Sequence, residues 1–147
     1  MSKLHRLLKL SGNEFRVLLY SCLLLNSIRL ALWLLPFSLL RQKLAQISSV
    51  WVCETQPTSV SVKFIVWTVN VASNYTPGGA KCLARALTSQ LLLTRYGYPH
   101  QLHIGVAKGA ANTLEAHAWI EYRDHVIVGW LNNLSRFKSL SADGANQ

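Results

Sequence analysis

The chain has 147 residues, 50% of them hydrophobic and only 14% charged, with 15 Lys+Arg against 6 Asp+Glu and a formal net charge of +9. So apolar a composition excludes a disordered polyelectrolyte, and the length fits one domain with a real core, not two large ones. The basic excess suggests a polyanion partner. Its position argues against nucleic acid: Lys3, Arg6, Lys9, Arg16, Arg29, Arg41 and Lys43 face only Glu14 in residues 1–43, and the remainder is nearly balanced. Cys22, Cys53 and Cys82 are widely spaced and odd in number. They form neither a disulfide framework nor a CxxC zinc pair, and a reducing, cytoplasmic compartment is the simplest fit.

Residues 17–40 are an apolar stretch interrupted by Asn26, Arg29 and Pro36. A spanning helix needs about 20 mostly apolar residues, yet a cation near its middle is costly and Pro36 breaks or bends it. A signal peptide is disfavoured because no A-x-A-like site follows. The leading reading is two core helices over 11–28 and 29–45. A helix lying on a membrane surface, basic residues toward anionic lipid, and a true span are the alternatives.

Composition favours strands at 47–53 and 59–69. Residues 60–72 also fit a buried helix, with Val62, Ile65, Val66 and Val69 at helical spacing, and helix is preferred there. Residues 73–80, SNYTPGGA, read as a loop. Leu83, Leu87, Leu91 and Tyr98 with Ala84 and Ala86 make an apolar stripe, so a helix is expected over 81–96, stopped by Gly97. Strands are expected at 101–107, 114–122 and 126–131, the last two joined at Arg123-Asp124 in a hairpin. The order predicts an α+β fold with helices against an antiparallel sheet. It divides into a basic, Leu-rich helical region over 1–45, a core over 46–140 and a frayed, disordered tail over 141–147.

Two residues carry candidate chemistry. Cys82 opens a helix after Pro77-Gly78-Gly79. Helix starts offer unpaired N–H groups and a positive dipole end, which favour thiolate and can hold an oxyanion. His117 sits mid-strand between Ala116 and Ala118. A thiol nucleophile needs such a base to take its proton and return it. Each feature alone is more often structural; together, on these elements, they are specific. With a two-residue turn, residue 130 faces His117, and Val128 and Asn132 are diagonal neighbours. None is an acid. Asn132 can accept from the imidazole as the orienting third residue, Asp124 lies far off in the turn, and a dyad with no third residue stays open. His5, His100, His103 and His125 are assigned no chemistry. A zinc site from Cys82, His103 and His117 lacks a fourth ligand and a familiar spacing, so no metal and no cofactor is expected.

PGGAKCLARALTSQLLLTRYGYPHQLHIGVAKG, followed by AHAWIEYRDHVIVGW, resembles the B2 proteins of lasso-peptide biosynthesis. The resemblance extends through Leu134-Ser135-Arg136-Phe137 and is most specific over 77–137. It implies a transglutaminase-like, papain-related cysteine protease fold. It also implies a leader peptidase that frees the core peptide's N-terminal amine for an asparagine-synthetase-like cyclase. Cys82 would be the nucleophile and His117 the base, while Trp130 stands where the family usually carries an acid. A separate leader-recognition protein would deliver the precursor peptide. The alternatives are acyl transfer or amidase chemistry through the same thioester, or a non-catalytic scaffold of a peptide-maturation complex.

Overall fold

The computed structural model describes residues 3–51, 60–76 and 82–139. Five helices come first: α1 (Lys3–Leu7), α2 (Gly12–Leu34), α3 (Phe37–Trp51), α4 (Val62–Asn74) and α5 (Cys82–Arg95). Four strands follow: β1 (Gln101–Lys108), β2 (Leu114–Tyr122), β3 (His125–Val128) and β4 (Lys138–Ser139). The expected α+β architecture is therefore present, with an antiparallel sheet in the order β3-β2-β1-β4.

α2 starts at a capping box. The Ser11 N–H donates to Glu14 Oε2 at 2.8 Å and the Glu14 N–H donates back to Ser11 Oγ at 3.4 Å. The one acid of the basic region thus serves as a cap. The helix then runs through Arg29 without a break and stops at Leu35, which is extended because it precedes Pro36. The expected boundary at 28/29 is corrected: proline, not charge, divides α2 from α3. Residues 47–51 are likewise helical, the end of α3, where strand was expected. Local β propensity yields there to continuation of a helix anchored by buried Leu40 and Leu44. The rest of that expected strand, the glycine loop at 77–80 and the tail at 141–147 lie outside the described residues.

α4 confirms the helical reading of 60–72. Ser61 Oγ accepts from the Phe64 N–H at 3.2 Å as its N-cap. α5 matches its expected span to one residue at each end, and Gly97 supplies the left-handed stop at φ 74°. α5 is buried on more than its predicted stripe: Ser89, Leu92 and Leu93 are enclosed too. It lies between two layers. Leu87 and Leu91 meet Leu25 and Ile28 of α2 and Leu40 and Leu44 of α3. Ala86, Leu92 and Leu93 share a second buried cluster with Ala118 and Ile120 of β2 and Val128 of β3. Ser21 of α2 and Thr68 of α4, both fully buried, satisfy each other across the helix layer at 2.8 Å.

The Arg123-Asp124 turn has φ 50° and 63°, the double left-handed geometry that suits a two-residue hairpin. Tyr122↔His125 and Glu121↔Val126 follow the expected register. A bulge between Ile120 and Glu121 then shifts it, so Ile120 pairs with Val128. β3 ends there, three residues short of expectation. Gly129, at φ 79°, turns the chain off the sheet. The strand β4 beside β1 was not foreseen; two residues leave no alternation to read.

Candidate active site

Cys82 is the first residue of α5, half-buried and unbridged. The first N–H groups of that helix have no intrahelical acceptor and point past it. The direction of α5 sets where Cys82 falls. Beyond the C-terminal end of α5, Tyr98 packs edge-on against Tyr122 at the far end of β2, with ring centroids 6.0 Å apart. Ala86, one turn beyond Cys82, and Ala118, the residue after His117, belong to the same buried cluster. Their small side chains permit the helix to approach the strand closely. Cys82 thus opens the helix that shares a buried cluster with β2, the strand that carries His117.

Their side chains are not joined. Strand residues alternate faces, and Ala118 and Ile120 take the face that α5 covers. His117 takes the other. Its imidazole lies beside Trp119 at 6.2 Å and Phe137 at 5.6 Å between centroids. Nε2 is 2.6 Å from the Gly129 carbonyl oxygen. A carbonyl can only accept, so Nε2 carries the proton and donates, leaving Nδ1 as the basic nitrogen. No hydrogen bond links Cys82 Sγ to the imidazole.

The structure does not bring the expected third residue to His117. The bulge and the short β3 remove residue 130 from the place opposite His117. Trp130 is 66% exposed. Asn132 is exposed in the following turn and makes no hydrogen bond to His117. Asp124 stays in the hairpin turn. The acceptor for Nε2–H is the backbone carbonyl of Gly129, which no side-chain inventory could have shown. It needs no carboxylate, so the scarcity of acids does not leave His117 unoriented.

The outer face of the sheet carries more than was assigned from sequence. His103 pairs with Trp119 across β1 and β2 and stacks on it at 5.3 Å. His103 Nε2 lies 3.4 Å from Glu121 Oε2, an ion-pair distance without hydrogen-bond alignment. Trp119 Nε1 donates to Glu121 Oε1 at 3.2 Å, and Arg136 pairs with Glu115. The signal was available in the period-2 pattern, since 103, 117, 119 and 121 share a face once β1 and β2 are paired. Among the described residues no three His, Cys, Asp or Glu side chains are grouped to hold a metal.

Helices followed by a four-stranded antiparallel sheet, with a cysteine opening the last helix and a histidine on the second strand, define the class of fold. Comparison with known families makes this specific. The sequence model of the Transglutaminase-like superfamily matches residues 22–142, and the chain belongs to that superfamily. Searches of curated proteins and of solved structures returned no match. The superfamily generally includes cysteine peptidases and transglutaminases.

Proposed function

We propose that the chain is a cysteine peptidase that removes the leader from a ribosomally made precursor peptide of the lasso type. The observation that supports this is Cys82 at the start of α5, the helix that shares a buried cluster with the His117-bearing strand β2. The peptide motifs around both residues supply the substrate class. In the reaction, His117 Nδ1 takes the Cys82 proton, and the thiolate adds to the scissile carbonyl. The core amine leaves with that proton, and a thioester to the leader remains. Water then hydrolyses the thioester and restores the thiol. The first N–H groups of α5 are placed to hold the oxyanion. Because no hydrogen bond joins the thiol and the outer-face imidazole, this reading requires substrate binding to bring the two together. In this reading the freed amine passes to an asparagine-synthetase-like cyclase, and a separate recognition protein presents the leader.

A second reading is favoured by the Gly129 contact itself. A histidine held at 2.6 Å by a backbone carbonyl, away from the cysteine, suits a non-catalytic scaffold of a maturation complex. Incubation with a lasso-type precursor peptide, together with its recognition protein, separates the two. The peptidase reading expects free leader and core by mass, lost in a folded Cys82→Ala variant. Cleavage retained by that variant overturns it. A product joined to an added amine would mark acyl transfer instead.

A further inference from the structure

α2 carries apolar side chains on two faces, and among the described residues only one of them is covered. Its inner face, Val17, Leu25 and Ile28, is at most 3% exposed, and Ser21 is fully buried against Thr68. Its outer face presents Phe15, Leu19, Leu23, Asn26, Leu30 and Trp33, spaced every three or four residues. Trp33 is 82% exposed, Phe15 and Leu23 57%, and Leu30 56%. Even the polar member is subdued, since the Asn26 amide donates to the Cys22 carbonyl of its own helix at 2.8 Å. The row spans about 27 Å at 1.5 Å per residue. So large an exposed apolar stripe marks an interaction surface.

The charges around the row identify what covers it. Lys9 and Arg16 are exposed at its N-terminal end, and Arg41 and Lys43 are exposed on α3 beyond its C-terminal end. Glu14, the sole acid of residues 1–43, is bound in the Ser11 cap. An apolar strip with cations at both ends matches the interface of an anionic bilayer, acyl chains beneath and phosphates at the rim. We propose that the outer face of α2 docks on an anionic lipid surface, with the helix lying in the interface plane. α2 is also the one described helix long and apolar enough to cross a membrane. Spanning, however, would strip its inner face from the core and break the Ser21–Thr68 bond. Docking leaves both in place.

The test is co-sedimentation of the full chain with vesicles, either pure phosphatidylcholine or phosphatidylcholine mixed with phosphatidylglycerol. Binding to the mixed vesicles alone, released by alkaline carbonate, is expected. Leu23→Gln with Trp33→Gln should lower the partition coefficient at least about tenfold by removing buried apolar area. Lys9→Gln with Arg16→Gln, which touches no core residue, should lower it several-fold, as should raised salt. Equal binding to both vesicle types overturns the anionic-lipid assignment. Carbonate-resistant membrane association overturns it in favour of a span. Absence of vesicle binding overturns it outright. In that case a dimer abolished by Leu23→Gln with Trp33→Gln would assign the face to a second copy.

Discussion

Replacing Gly129 with Ala probes the geometry that orients His117. Gly129 has φ 79°, a left-handed conformation in which a Cβ costs about 1–2 kcal/mol. The added Cβ would also stand 2.5 Å from the Ala118 carbonyl oxygen and 3.1 Å from Trp119 Cα. Both are backbone atoms of the central strand, so no flexible side chain can yield. The turn must move instead, and strain plus displacement should total about 2–4 kcal/mol. For a domain of this size that lowers Tm by roughly 5–15 °C. Thermal unfolding followed by circular dichroism reads the loss. Imidazole nitrogen shifts in NMR read whether Nε2 still donates to residue 129. Gly12→Ala is the control: nothing lies within 4 Å of its added Cβ, and Tm should hold. A Gly129→Ala protein within roughly 2 °C of wild type, or one with the His117 bond intact, would refute the strain reasoning.

Three further predictions concern packing and thiol chemistry. Ser21→Ala and Thr68→Val should each cost about 1 kcal/mol, and the double variant less than their sum, because both delete the same Ser21–Thr68 bond while the remaining hydroxyl keeps a carbonyl of its own helix, Val17 for Ser21 and Ile65 for Thr68; additive denaturant midpoints would contradict the coupling. Gly105→Ala brings a Cβ to 2.9 Å from the Trp119 ring and 3.0 Å from Phe137 Cβ. It should lift Phe137 off the outer face, seen as altered near-ultraviolet circular dichroism, and an unchanged spectrum would sink that expectation. Burial pushes the Cys22 thiol up from its ordinary value. Less thiolate is then present at any given pH, so Cys22 alkylation should be slow at neutral pH and rise only in alkali. Rapid neutral labelling of Cys22 would show that its burial is lost in solution.

Much of this fold was legible in the sequence, and each miss has a physical cause. The Leu stripe and Gly97 located α5, and the Arg123-Asp124 turn located the hairpin, because both signals are local. The break in the N-terminal helices was misplaced because Arg29 was weighed as an interruption, although a helix carries one cation without distorting its backbone; Pro36 cannot be carried. The register failed at one bulge, which alternation does not encode. That single slip moved the third candidate from a side chain, Asn132, to the Gly129 carbonyl. Alternation correctly placed His117 and Trp119 on one face and Ala118 and Ile120 on the other. It could not say which face the helices cover, since both are apolar: Ile120 sits against α5, while Trp119 and Phe137 cap the outer side.

The charge that opened the sequence reading now has a place. Lys9, Arg16, Arg41 and Lys43 flank the uncovered row on α2, and a backbone carbonyl rather than a carboxylate holds the His117 imidazole. The central claim is that Cys82 and His117 act as a pair, and leader release from the precursor peptide by the folded His117→Ala variant tests it most directly. Mass spectrometry should find free leader with the native chain and none above background with the variant. Leader release undiminished without the imidazole would contradict the pair, and none from the native chain would leave the scaffold reading in its place.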